Sequence, residues 1–176
     1  MADQSPIADQ WKTAASTYST TREMILEHRF LADLTSTLWS DGIFDFSVSH
    51  SEVDNSGYDV IIEAGSVTRH IQLKGMQAGG KRSDFDLQLR LQDKPSACAV
   101  VLIHDPKTLA IEEYRLFAGA PGDPIPALGE KIAKHSKGDS DGYKAQRPSL
   151  RNVPLSRFVP VADIAVLAGL LFGQVD

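Results

Sequence analysis

The sequence predicts a mixed α/β domain, on three observations. A long helix with a single apolar stripe comes early, a β-hairpin with a glycine turn follows it, and a continuous apolar run beyond the hairpin has the length of a buried strand. Residues 1–18 read as a loose extension that docks through Trp11. The helix is expected over Thr20–Leu38, where Ile25, Leu26, Phe30, Leu34 and Leu38 recur at three- and four-residue spacing. Thr20 and Glu23 form a capping-box pattern at its start, and Asp41-Gly42 supplies a stop.

Three strands are expected next. Ile43–Val48 alternates imperfectly, and a polar connection leads to Tyr58–Ala64 and Val67–Lys74, joined through Gly65-Ser66 as a hairpin. Gly75–Lys81 reads as a loop. In Ser83–Gln92 the alternation of Phe85, Leu87, Leu89 and Leu91 favours a strand, while Ser83 followed by Asp86 resembles a helix cap. Ala97–Ile103 is the buried central strand and Ile111–Phe117 another. The turn-rich Gly119–Pro126 breaks the chain. Beyond it a short basic helix over Leu128–Lys137, an irregular Gly138–Pro154 and an apolar helical pattern over Val161–Leu171 are expected. The corresponding organisation is an extension at 1–18, an α/β core at 19–118, and a basic segment with a terminal helix at 119–176 packed on the same domain.

Composition narrows the function classes. Apolar residues make up 42% and charged residues 23%, which excludes a disordered chain, and the longest near-unbroken apolar stretch, Ile164–Phe172, is too short to span a bilayer. The N-terminus carries no signal-peptide pattern, so a cytoplasmic protein is expected. The single cysteine, Cys98, excludes an internal disulfide framework and a cysteine-rich zinc site, and it reads as a buried small hydrophobe. Trp39 beside the first helix is expected to pack, and His104 and His135 lack the partner spacing of a zinc or hydrolase site.

Charge is divided along the chain. Residues 1–65 carry three basic and eleven acidic side chains, whereas residues 66–176 carry fifteen basic and twelve acidic. The densest basic stretch runs from Lys131 to Arg157 and includes Lys134, Lys144, Arg147 and Arg151. Such a stretch on an acidic protein suits local phosphate contact rather than binding over the whole surface.

The residues able to do chemistry bound the hairpin. On a strand Gln72 and Lys74 share one face, roughly 6.5–7 Å apart, and Asp59 can lie across from them if the turn forms at Gly65-Ser66. The Asp59 carboxylate, the Gln72 amide oxygen and the Leu73 carbonyl can then converge on a hard cation such as Mg²⁺. Lys74 is left beside the cation to hold or deprotonate water.

Gly57-Tyr58-Asp59 entering an apolar strand, with Gln72-Leu73-Lys74 ending the next, resembles the core of the PD-(D/E)xK nuclease superfamily in its QxK variant. The whole chain also looks like a group of small uncharacterised bacterial proteins with Gly-Tyr-Asp, Gln-Leu-Lys and a later Gly-Ala-Pro-Gly. The superfamily resemblance implies a restriction-endonuclease-like core of helix, three-stranded meander, helix and strand, with a central mixed β-sheet flanked by helices. It implies Mg²⁺- or Mn²⁺-dependent phosphodiester hydrolysis of DNA or RNA, with Asp59 as metal ligand, Lys74 at the attacking water, and Glu27 as the matching glutamate of the first helix. Gln72 stands where the superfamily usually has an acid, so one negative charge is missing unless Glu27 restores it. Lys81 and Arg82, close behind Lys74, and Lys131, Lys134, Lys144, Arg147 and Arg151 are the candidates for the phosphate backbone. The alternatives are a catalytically inactive fold that binds nucleic acid or protein, and an assembly subunit, a homo-oligomer included, that uses its terminal helix as an interface.

Overall fold

The computed structural model describes residues 6–51, 56–135 and 144–173. Two helices come first, α1 (Pro6–Thr17) and α2 (Ser19–Ser40). Over Pro6–Thr17 the extension is therefore helical rather than loose. The Tyr18 N–H donates to the Ala14 carbonyl and the Arg22 N–H to the Tyr18 carbonyl, so α1 and α2 join through the single non-helical residue Tyr18. The expected capping box does not form: the helix starts earlier than the box requires, Tyr18 holds the cap position without a side-chain bond, and Thr20 lies inside the first turn. At the other end the Gly42 N–H donates to the Trp39 carbonyl.

The stripe of α2 buries Leu26, Phe30, Leu34 and Leu38 against one face of a six-stranded sheet. That sheet contains β1 (Phe46–His50), β2 (Val60–Ala64), β3 (Val67–Gln77), β5 (Ala97–His104), β6 (Ile111–Ala118) and β9 (Val159–Val161), in the spatial order β1-β2-β3-β5-β6-β9. Only β3 and β5 run parallel; every other pair is antiparallel. The hairpin closes with Ala64 opposite Val67, and Gly65 takes φ +56°, which a two-residue loop admits at low cost only for glycine. The expected loop from Gly75 is still strand as far as Gln77, because β3 continues to pair with β5 through Gln77 and His104. β5 is buried at every position, as its continuous apolar run requires, and burial pushes the Cys98 thiol up to about 12.

The helices lie on one face of the sheet. The C-terminal α3 (Ile164–Phe172), whose start is capped by Asp163 accepting from the Val166 N–H, packs beside α2. The other face is covered by a second, three-stranded sheet of β4 (Asp84–Gln88), β7 (Ile132–Lys134) and β8 (Gln146–Pro154), in the order β4-β8-β7. This corrects three expectations. The connection from β3 to β5 is a strand and a 3₁₀ turn, Leu89–Asp93, in place of the helix implied by the resemblance. No basic helix forms after Leu128: with Leu128, Ile132 and Ala133 as its apolar residues the segment has too narrow a stripe to hold one, and it pairs with β8 instead. Residues 146–154, expected to be irregular, form β8; the stretch before them, at 136–143, lies outside the described residues. Phe85, Leu87, Val153 and Phe158 fill the space between the two sheets against Ala99, Val101 and Phe117.

Candidate metal and phosphate site

Asp59 precedes β2, just outside the ladder that begins with Val60 opposite Ile71. Its N–H donates to the Ile71 carbonyl at 2.9 Å, which keeps it beside β3. Alternate residues of β3 project to the same side. Gln72 and Lys74 therefore share the sheet face that the second sheet covers, and the charge of Asp59 reaches Lys74 from the end of β2. Two residues before Asp59, Gly57 lets the chain pass close to the 3₁₀ turn: its φ is +84°, and a Cβ there would stand 3.0 Å from the Leu91 backbone nitrogen.

Each polar group has a defined partner. Asp59 Oδ2 accepts from the Leu73 N–H at 2.6 Å, taking over a donor that the ladder leaves unpaired where β2 begins. Gln72 is 5% exposed, and its Oε1 accepts from the Gln88 N–H at 3.1 Å, stitching the outer edge of β4 to the central sheet. Burial is the main influence on Lys74 and holds its ammonium below the ordinary lysine value; Asp59 opposes the shift, Arg82 adds to it, and Asp86 and Glu23 oppose it.

Glu27 meets a different neighbour. Its Oε1 lies 3.1 Å from His50 Nε2 at the end of β1. The helix carboxylate whose field reaches Lys74 is Glu23, one turn earlier. Asp86 and Glu23 are the residues that sequence reasoning missed. The signal for Asp86 lay in the alternation Asp84-Phe85-Asp86-Leu87-Gln88, which puts the acids on one face of a strand and the apolar residues on the other.

The cationic candidates fall into two groups. Arg82 donates from Nε to the Asp84 carbonyl at 2.8 Å, and its guanidinium lies 4.3 Å from the centre of the Phe85 ring; Lys81 beside it is exposed. Lys131, Lys134 and Lys144 line a groove of about 670 Å³ on the second sheet, with Asp84 and Asp86 in its wall. Lys131 approaches Asp84 at 3.9 Å. Arg151 turns back on its own strand, donating to the Pro148 and Leu150 carbonyls, and Arg147 is exposed opposite Ala133.

Among the described residues no group of three or more His, Cys, Asp or Glu side chains could hold a metal ion. The donor set near Lys74 is nonetheless of a kind that suits Mg²⁺, which keeps several waters and needs only one or two carboxylates. Asp59 supplies a carboxylate, Leu73 a carbonyl, and Gln72 an amide oxygen with a second lone pair beyond the one facing Gln88. The residues present fit a hard cation through oxygen alone.

No protein-family model matches this chain, and no curated protein matches it in sequence. Among solved structures it is similar to Hjc, a Holliday junction resolvase from the archaeal hyperthermophile Archaeoglobus fulgidus, at 15% identity over 78% of this chain and 99% of that one, with a TM-score of 0.41.

Proposed function

We propose that this protein is a divalent-cation-dependent phosphodiesterase acting on nucleic acid. The observation that carries the reading is the gathering of polar groups at Lys74: Gln72 on its strand face, the Asp59 carboxylate on the intervening Leu73 N–H, and Asp86, which also belongs to the lysine-lined groove. Asp59, the Leu73 carbonyl and Gln72 would hold Mg²⁺ or Mn²⁺. When bound, the ion neutralises charge on a phosphoryl oxygen and lowers the pKa of its water. Lys74, kept below the ordinary lysine value by burial, is suited to take a proton from the attacking water. Lys131, Lys134 and Lys144 position the phosphate backbone and read no sequence.

A second reading is a catalytically silent module of the same fold. It is favoured by the engagement of the Gln72 oxygen with the Gln88 N–H and by the absence of a three-ligand group among the described residues. One experiment separates the two: Mn²⁺ titration by calorimetry alongside cleavage of single-stranded DNA, duplex DNA and RNA. The enzyme reading expects Lys74→Ala to leave Mn²⁺ binding nearly intact and to lower the cleavage rate about 10²–10³-fold, and Gln72→Glu to tighten Mn²⁺ binding. Binding of nucleic acid with no cleavage and no Mn²⁺ uptake, in wild type and in Gln72→Glu alike, establishes the silent module.

A further inference from the structure

The rings of Trp39 and Phe44 meet edge to face, with centroids 4.8 Å apart, and each residue is 63% exposed. Trp39 packs as expected, but on the exposed Phe44 ring rather than in the core. The pair sits where α2 ends and the chain enters β1, the edge of the central sheet, which pairs with β2 alone among the described residues. The ladder fixes which backbone groups look outward. The Gly65 N–H donates to the Asp45 carbonyl and the Ser51 N–H to the Asp59 carbonyl, so the odd-numbered residues bond to β2. The N–H and C=O groups of Phe46, Val48 and His50 then point away from the sheet.

Sheet edges in soluble proteins are usually guarded by lysine, proline or a bulge. None guards this one. Its register with β2 is regular, no lysine, arginine or proline occurs from Phe30 to Thr68, and Glu63, opposite Ser47, is exposed beside it. Asp41, between Trp39 and Phe44 in the chain, and Asp45, next to Phe44, are exposed. That field repels phosphate, so the exposed rings do not suit nucleic acid. It also repels the same edge of a second copy.

We infer that the β1 edge docks an extended, basic segment of a partner protein. The segment adds as a further strand on Phe46, Val48 and His50, and an arginine or lysine of the segment lies against Trp39 and Phe44 between Asp41 and Asp45. None of these docking residues belongs to the Lys74 site.

The test is a titration of the ¹⁵N-labelled full chain with a decapeptide of alternating arginine and threonine, and with its glutamate–threonine counterpart. The basic peptide is expected to shift the Phe46, Val48 and His50 amides and the Trp39 indole, to slow exchange of those three amides, and to bind more weakly as salt rises. The acidic peptide is expected to do none of this. The double variant Trp39→Ala/Phe44→Ala, in which both rings are already exposed, should weaken binding about tenfold or more. Val48→Pro, which removes an outward N–H that β2 does not use, should do the same. Unchanged affinity in both variants, or shifts confined to other surfaces, overturns the inference. So does protection of the three amides by self-association without peptide, or their displacement by a DNA oligonucleotide.

Discussion

Lys74 shows how a single side chain ties chemistry to stability. Its ammonium is desolvated between the central sheet and β4, and this burial outweighs the attraction of Asp59, Asp86 and Glu23. A lysine whose folded value lies below its ordinary one loses its proton on folding over the pH range between the two. The unfolded chain binds more protons there, so stability rises as pH climbs through that window, and the full penalty is present below it. Lys74→Met removes the penalty. The variant should be more resistant to urea than wild type at pH 7, and the difference should shrink as pH approaches the ordinary lysine value of 10.5. Urea midpoints at pH 7 and pH 10 check this, and a difference that stays constant shows that packing rather than charge sets it. Gln72 is the complementary case, a polar group made tolerable by one bond: without its oxygen the Gln88 N–H would be left buried and unpaired.

At the scale of elements, legibility followed the range of the interactions that build each one. The stripe of α2, the Gly65-Ser66 turn and the apolar run of β5 are local signals, and the structure keeps all three. β7 and β8 were not legible because what makes them strands is mutual pairing across residues 136–143, with Arg147 opposite Ala133, and not the character of either segment. The alternation in β4 was visible, but the second sheet it joins was not. Gln72 and Lys74 share a face by period-two spacing alone, whereas Asp59 reaches the Leu73 N–H from outside the ladder, a position the spacing does not specify. The neighbourhood of Glu27 depended on how α2 crosses the sheet, which no local pattern records: Gly75 lies under Leu26, so the helix presents Glu23 to Lys74 and leaves Glu27 to His50. The weight of α2 in the fold can be measured directly. Phe30 is fully buried at the centre of its stripe, and Phe30→Ala should cost about 3–5 kcal/mol in chemical denaturation. A cost below about 1 kcal/mol would mean that α2 is not the main cover of that sheet face.

At the scale of the whole molecule, the covering α3, the central sheet and the turn after β6 are joined through one residue, Arg69. It is 0% exposed, on the β3 face that packs toward the helices. Its Nε donates to the Leu171 carbonyl at 2.7 Å, and one Nη donates to Gly119 and Leu170 at 3.2 and 3.3 Å, while Nη1 has no hydrogen-bond partner among the described residues. The guanidinium thus answers the last carbonyls of α3, where the helix dipole is negative and Gly173 ends the helix. Burial pulls the Arg69 pKa down, yet an arginine keeps its proton, so the bonds are charge-assisted over the whole working pH range. Hydrogen bonds of that kind contribute about 1.5–3 kcal/mol each, part of which offsets the cost of burying the charge. Arg69→Ala should therefore destabilise the protein by about 3 kcal/mol. Arg69→Lys should recover little of the loss, because a single ammonium cannot reproduce the planar fork that reaches α3 and Gly119 together. Native-state hydrogen exchange gives the sharper reading: in Arg69→Lys the amides of α3 should open well before those of β3 and β5, whereas wild type holds α3 to the sheet. An Arg69→Lys variant with wild-type protection in α3 would assign the clamp to charge alone and not to the geometry of the guanidinium.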